Sequence, residues 1–97
     1  MTPSDQFEQQ LLHDGYLDIK HRQCERGEDT QPHTHAFDTR LLILEGEMTV
    51  VCGGDQRTYK AGDILEIPAG TAHCERYAAA RLQFVAGLRH TLVSPLR

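Results

Sequence analysis

The 97-residue chain predicts an all-β sandwich or barrel preceded by one short helix. Two observations carry this. From Tyr16 onward the apolar residues come in short alternating runs divided by strong turn signals, as in antiparallel sheets. The segments between those runs are also too short for the helices of a dozen or so residues that a parallel α/β fold needs. A chain of this length builds one compact domain, expected over residues 1–97 with a helical part to 15 and a barrel from 16.

Each element has its own reason. Thr2-Pro3-Ser4-Asp5 offers a capping residue, a proline at the first helical position and an acid in the first turn, and Gly15 closes the segment. From Tyr16 the pattern alternates, with Leu17, Ile19 and His21 on the face expected inward and Asp18, Lys20 and Arg22 on the other. The polar stretch from Gly27 to Pro32 is a loop. Phe37 to Glu45, carrying Leu41-Leu42-Ile43-Leu44, is a strand closed by Gly46, and Glu47 to Cys52 is the next. Gly53-Gly54-Asp55 makes a hairpin turn into Arg57–Lys60. Ala61-Gly62-Asp63 turns into Ile64–Ile67, with Asp63 expected to bond the backbone. Pro68-Ala69-Gly70 turns again, and Ala72–Tyr77 and Arg81–Leu88 complete the series.

Composition narrows the function classes. Ten basic and fourteen acidic residues give a net charge of −4 without a Lys/Arg run, which argues against nucleic acid and anionic membranes as partners. No apolar run approaches the roughly 20 residues of a spanning helix, and the polar start, Met1 to Gln10, does not resemble a signal peptide; a cytoplasmic location is expected. Cys24, Cys52 and Cys74 are odd in number and far apart, so they are expected to be reduced thiols, with Cys74 turned away from the face of His73.

The chemistry concentrates at three histidines. His33 and His35, two apart, can share one face, and His73 follows the Pro68-Ala69-Gly70 turn. Three imidazoles are a common shell for an exchangeable transition metal.

Their surroundings resemble the cupin family. Gly27, five residues, His33-Thr34-His35 and Gly46 follow its first motif, and Gly62, Pro68, Gly70 and His73 follow its second without a gap. The resemblance implies a double-stranded β-helix with a metal held at His33, His35 and His73. It also implies a glutamate where this chain has Thr39 and an asparagine where it has Tyr77.

Thr39 shares the face of His35, and its hydroxyl is a poor ligand for a divalent metal. Glu75, two residues after His73, is the expected substitute, as a ligand or as an acceptor steadying an imidazole, with Asp38 as the other candidate. Thr39, Tyr77, Phe37, Leu41 and His21 are expected to line the pocket.

Three function hypotheses follow. The first is an oxygenase-like or isomerase-like metalloenzyme acting on a small chelating molecule through an open three-histidine site. The second is a binding or sensing protein whose metal anchors a ligand without turnover, and the third a barrel that binds a small molecule without metal. The metal is a divalent transition ion, among zinc, iron, nickel, manganese, copper and cobalt. A homodimer paired through sheet edges is expected, because pairing covers exposed strand edges and extends a small core.

Overall fold

The computed structural model describes residues 2–25, 30–77 and 81–90. Gly27, the opening glycine of the first histidine motif, and residues 91–97 at the end of the expected barrel lie outside the described residues. Helix α1 runs Pro3–His13 and is followed by β1 Asp18–Cys24, β2 Phe37–Glu45, β3 Glu47–Cys52, β4 Asp55–Lys60, β5 Ile64–Ile67, β6 Cys74–Tyr77 and β7 Leu82–His90.

The strands form two antiparallel sheets, one ordered β1-β7-β2-β5 and the other β4-β3-β6. Between them lies a core built from Leu41, Ile43, Met48, Val50, Leu65, Ile67, Leu82 and Ala86. These are alternate residues of β2, β3, β5 and β7, as a strand with one face in the core requires. The β2–β7 register slips between Ile43 and Glu45, and Leu44 at that irregularity is exposed.

A second core lies on the outer face of the larger sheet. There Phe7 and Leu11 of α1 pack with Tyr16, Leu42 and Val85, and Ile19 packs against them. The helix starts at a capping box in which the Thr2 hydroxyl accepts from the Asp5 backbone N–H while the Asp5 carboxylate accepts from that of Thr2. Leu11 reaches the sheet because residue 87 is glycine; a Cβ there would lie 2.8 Å from both Leu11 methyls.

This layer corrects the expectation for β1. Ile19 does face apolar neighbours, but they form the layer between the helix and the outer face of the sheet and not the space between the sheets. His21 shares that outer face, is exposed, and lies 3.4 Å from Glu8 of α1, so it does not line an interior pocket. Among the described residues no helix is long and apolar enough to cross a membrane.

Candidate metal centre

The two histidine motifs are stitched together by backbone hydrogen bonds. His33 and His73 form an antiparallel bridge, with His33 N donating to His73 O at 2.9 Å and His73 N to His33 O at 3.0 Å. Gly70 N donates to His35 O, and Thr30 N to Glu75 O, both at 2.9 Å. Residues 30–35 therefore run beside 70–75, and His35 sits just before β2. The Pro68–Thr71 turn that aims His73 has Gly70 at φ +79°, a conformation that L side chains disfavour.

One ligand atom from each of His33, His35 and His73 lies within 4.8 Å of the others. His73 is buried at 2% exposure, and the other two rings are half-buried. Ring centroids are 4.4 Å apart for His33 and His73 and 4.8 Å for His33 and His35. Phe37 stacks on His35 with an interplanar angle of 16°.

Backbone carbonyls select the tautomers. His33 Nδ1 lies 2.6 Å from Gln31 O and His73 Nδ1 2.9 Å from Thr71 O. A carbonyl only accepts, so Nδ1 of each ring carries the proton and Nε2 of the neutral ring keeps a lone pair. Burial holds the pKa of His35 below the ordinary imidazole value, and positive charge on His33 and His73 would lower it further. Its neutral form is thereby favoured, as metal binding requires.

Glu75 enters the same cluster from β6. Its Oε1 lies 3.3 Å from His73 Nε2 and 3.7 Å from His33 Nε2, and its Oε2 accepts from the Thr30 hydroxyl at 2.9 Å. Asp38 is engaged elsewhere. One of its oxygens accepts from Ala69 N at 2.8 Å, the other from Arg89, and these bonds hold its carboxyl below the usual carboxylate range. Asp38 thus fixes the turn before His73 from outside the cluster.

Thr39 is half-buried on β2, Leu41 is in the core between the sheets, and Tyr77 packs against that core. Thr30, Gln31 and Thr71 escaped sequence reasoning. Two of them act through main-chain carbonyls that any residue supplies, and Thr30 becomes relevant only through its pairing with Glu75.

An apolar groove of about 520 Å³ between α1 and the edge strand β5 is lined by Pro3, Phe7, Leu42 and Ile64 among others. None of the three histidines borders it, and its charged members Arg40 and Glu66 are paired with each other. The convergent polar groups are thus at the histidines rather than at this larger volume.

Two facing antiparallel sheets with a histidine cluster sewn between β2 and β6 define a small double-stranded β-helix with a candidate metal centre. The cupin domain family matches residues 21–86, well over half of the chain, and the chain belongs to that family.

Among solved structures, a cupin superfamily protein from Desulfitobacterium hafniense is 22% identical, with a TM-score of 0.68 over 75% of this chain and 66% of its own. An RmlC-like cupin family protein with a double-stranded β-helix fold from Methanocaldococcus jannaschii is 28% identical, with a TM-score of 0.64 over 74% of this chain and 69% of its own. A putative ethanolamine utilization protein Q from Salmonella typhimurium is 27% identical, with a TM-score of 0.63 over 73% of this chain and 55% of its own. The chain thus spans about two thirds of the first structure's length and little over half of the third's. No curated protein sequence matches it.

Proposed function

We propose that this chain is a metal-binding cupin in which His33, His35 and His73 hold a divalent transition metal whose open positions take a small chelating molecule. One observation carries the reading: carbonyl oxygens hold the Nδ1 protons of His33 and His73, leaving their Nε2 lone pairs for an ion. Convergent imidazoles without a proton between them repel, and a divalent cation removes that repulsion.

Imidazole suits zinc, copper, iron and nickel, and availability decides among such ions in a cell. A bound metal would supply Lewis acidity and would make bound water more acidic. The chain's own residues shape the approach. His73 closes the inner side of the cluster, Phe37 fixes the plane of the His35 ring, and the exposed edge of His33 leaves the ligand an entrance.

Oxygenase-like or isomerase-like chemistry on the chelated molecule is the catalytic form of this proposal. Elemental analysis of untagged protein, set beside a His33→Ala, His35→Ala, His73→Ala triple variant, is its test. A divalent transition metal near one equivalent, lost in the variant, is expected; equal contents would overturn the site. Consumption of dioxygen or of a candidate chelator by the loaded protein then separates turnover from simple binding.

A further inference from the structure

We infer that Glu75 is the carboxylate ligand of this centre and that Thr30 is the residue that positions it. This rests on the three-histidine reading above and extends it. In the family pattern the glutamate comes from the strand after the first histidine pair, where this chain has Thr39. The carboxylate has moved to β6, two residues past His73.

Three distances carry the argument. Glu75 Oε1 lies 3.3 Å from His73 Nε2 and 3.7 Å from His33 Nε2. Charge-assisted N–H···O bonds are shorter, about 2.7–2.9 Å. With ligand bonds of about 2.1 Å, ligand-to-ligand edges run from roughly 3.0 Å in an octahedral shell, which keeps positions open for a chelating molecule, to roughly 3.4 Å in a tetrahedral one. Both spacings of Oε1 exceed a direct hydrogen bond and lie near such an edge, close enough for the three atoms to share an ion after a small adjustment. With Nδ1 of both rings engaged by carbonyl oxygens, Nε2 is the atom each ring turns toward Oε1, so the carboxylate oxygen and the two nitrogens converge on one point.

The third distance fixes the carboxylate. The Thr30 hydroxyl donates to Glu75 Oε2 at 2.9 Å and accepts from the Glu75 backbone N–H at 2.8 Å. Thr30 N also donates to Glu75 O, so the residue grips Glu75 by side chain and main chain together. One carboxylate oxygen is thereby committed and the other turned to the histidines. A single carboxylate also reduces the charge of a divalent centre to +1 and occupies one of its otherwise open positions.

The test is Co²⁺ binding, read by competition with a chelating dye and by the visible absorption of the bound ion. It compares the wild type with Glu75→Gln, Thr30→Val and Thr30→Ser. We expect Glu75→Gln to weaken Co²⁺ binding by more than about 100-fold, beyond the loss typical of a residue that only orients a ligand, and to change the absorption bands. Thr30→Val should weaken it about 10-fold, and Thr30→Ser, which keeps the hydroxyl, should restore it. Wild-type affinity and bands in Glu75→Gln would overturn the assignment and leave the three-histidine site standing. No Co²⁺ binding by the wild type would overturn both. Should Glu75→Gln not fold, infrared difference spectra with and without Co²⁺ for the wild type and Thr30→Val decide: a Co²⁺-dependent carboxylate shift that Thr30→Val alters supports Glu75, and no shift, or one that Thr30→Val leaves unchanged, overturns it.

Discussion

His33 and His73 exchange both of their backbone hydrogen bonds, at 2.9 and 3.0 Å, so residues forty apart in the chain are locked side by side. This bridge belongs to no extended ladder, yet it sets the distance between the two histidine motifs. The main chain makes the bonds of the bridge, so the imidazoles take no part in it. The side chains can be removed without cutting the link.

Separability of bridge and rings gives the first expectation. Zinc at 100 times its dissociation constant should stabilise the wild type by about 2.7 kcal/mol, raising Tm by on the order of 10 °C. His33→Ala should keep nearly the metal-free Tm and lose this rise. His73→Ala should lose the rise and also lower the metal-free Tm, because its ring is 2% exposed and packs in the cluster. Scanning calorimetry with and without zinc checks this, and a full zinc response in either variant would refute it.

Gly46, the closing glycine of the first motif, has a backbone reason to be there. Its φ is +87°, and a Cβ would overlap the carbonyl oxygen of Arg81. Gly46→Ala should therefore cost at least about 1–3 kcal/mol, with backbone displacement adding to the strain of the dihedral. Urea unfolding monitored by circular dichroism would show it as a lower midpoint; an unchanged midpoint would mean that the Gly46 turn relaxes freely.

Strand positions were legible because turns here are written in glycine and proline. The expected Phe37–Glu45 and Glu47–Cys52 are the observed β2 and β3, and Asp63 accepts from the Lys60 N–H as its place in a turn implied. Facing was less legible. Alternation in β1 distinguishes two faces without saying which is interior, and α1 makes the outer face apolar as well, so His21 was misplaced. His33 sits in an isolated bridge outside the strands. Its meeting with His73 depends on long-range register, which only the spacing of the two motifs hinted at. Thr30 left no trace, since its role arises from pairing with a residue 45 positions away.

Helix docking rests on Gly87. A Cβ at this position would meet Leu11 Cδ1 and Cδ2 at 2.8 Å, and Leu11 is fully buried, with little room to move. Gly87→Ala should cost about 1–3 kcal/mol by overpacking. Leu11→Ala alone should cost about 2–5 kcal/mol. The double variant should be more stable than the sum by about 0.5–3 kcal/mol, because shortening the Leu11 side chain vacates the contested space. Strict additivity in chemical unfolding would show that the helix shifts instead.

Acid should open the molecule at two carboxylates that tie its parts together. Asp14 is held well below the usual carboxylate range by its bonds from Arg40, then from His13 and Gln10; Asp38 is held down by Ala69 N–H, then by Arg89. A carboxyl whose pKa is depressed on folding contributes stability that is fully present above its unfolded value, near 3.8, and that is lost as pH falls toward the folded value. Tm should thus not fall on account of these two groups from neutrality to about pH 5, and should drop steeply below about pH 4. Asp38→Asn keeps an oxygen for Ala69 N–H but gives up the charge facing Arg89, so it should start from a lower Tm at pH 7 and fall less steeply in acid. Asp14→Asn should do the same through Arg40, whose guanidinium also lies 4.5 Å from the Tyr16 ring centroid and so links the helix end to the sheet. Thermal scans from pH 7 to pH 2 would decide, and acid slopes as steep in both variants as in the wild type would place the acid sensitivity on other groups.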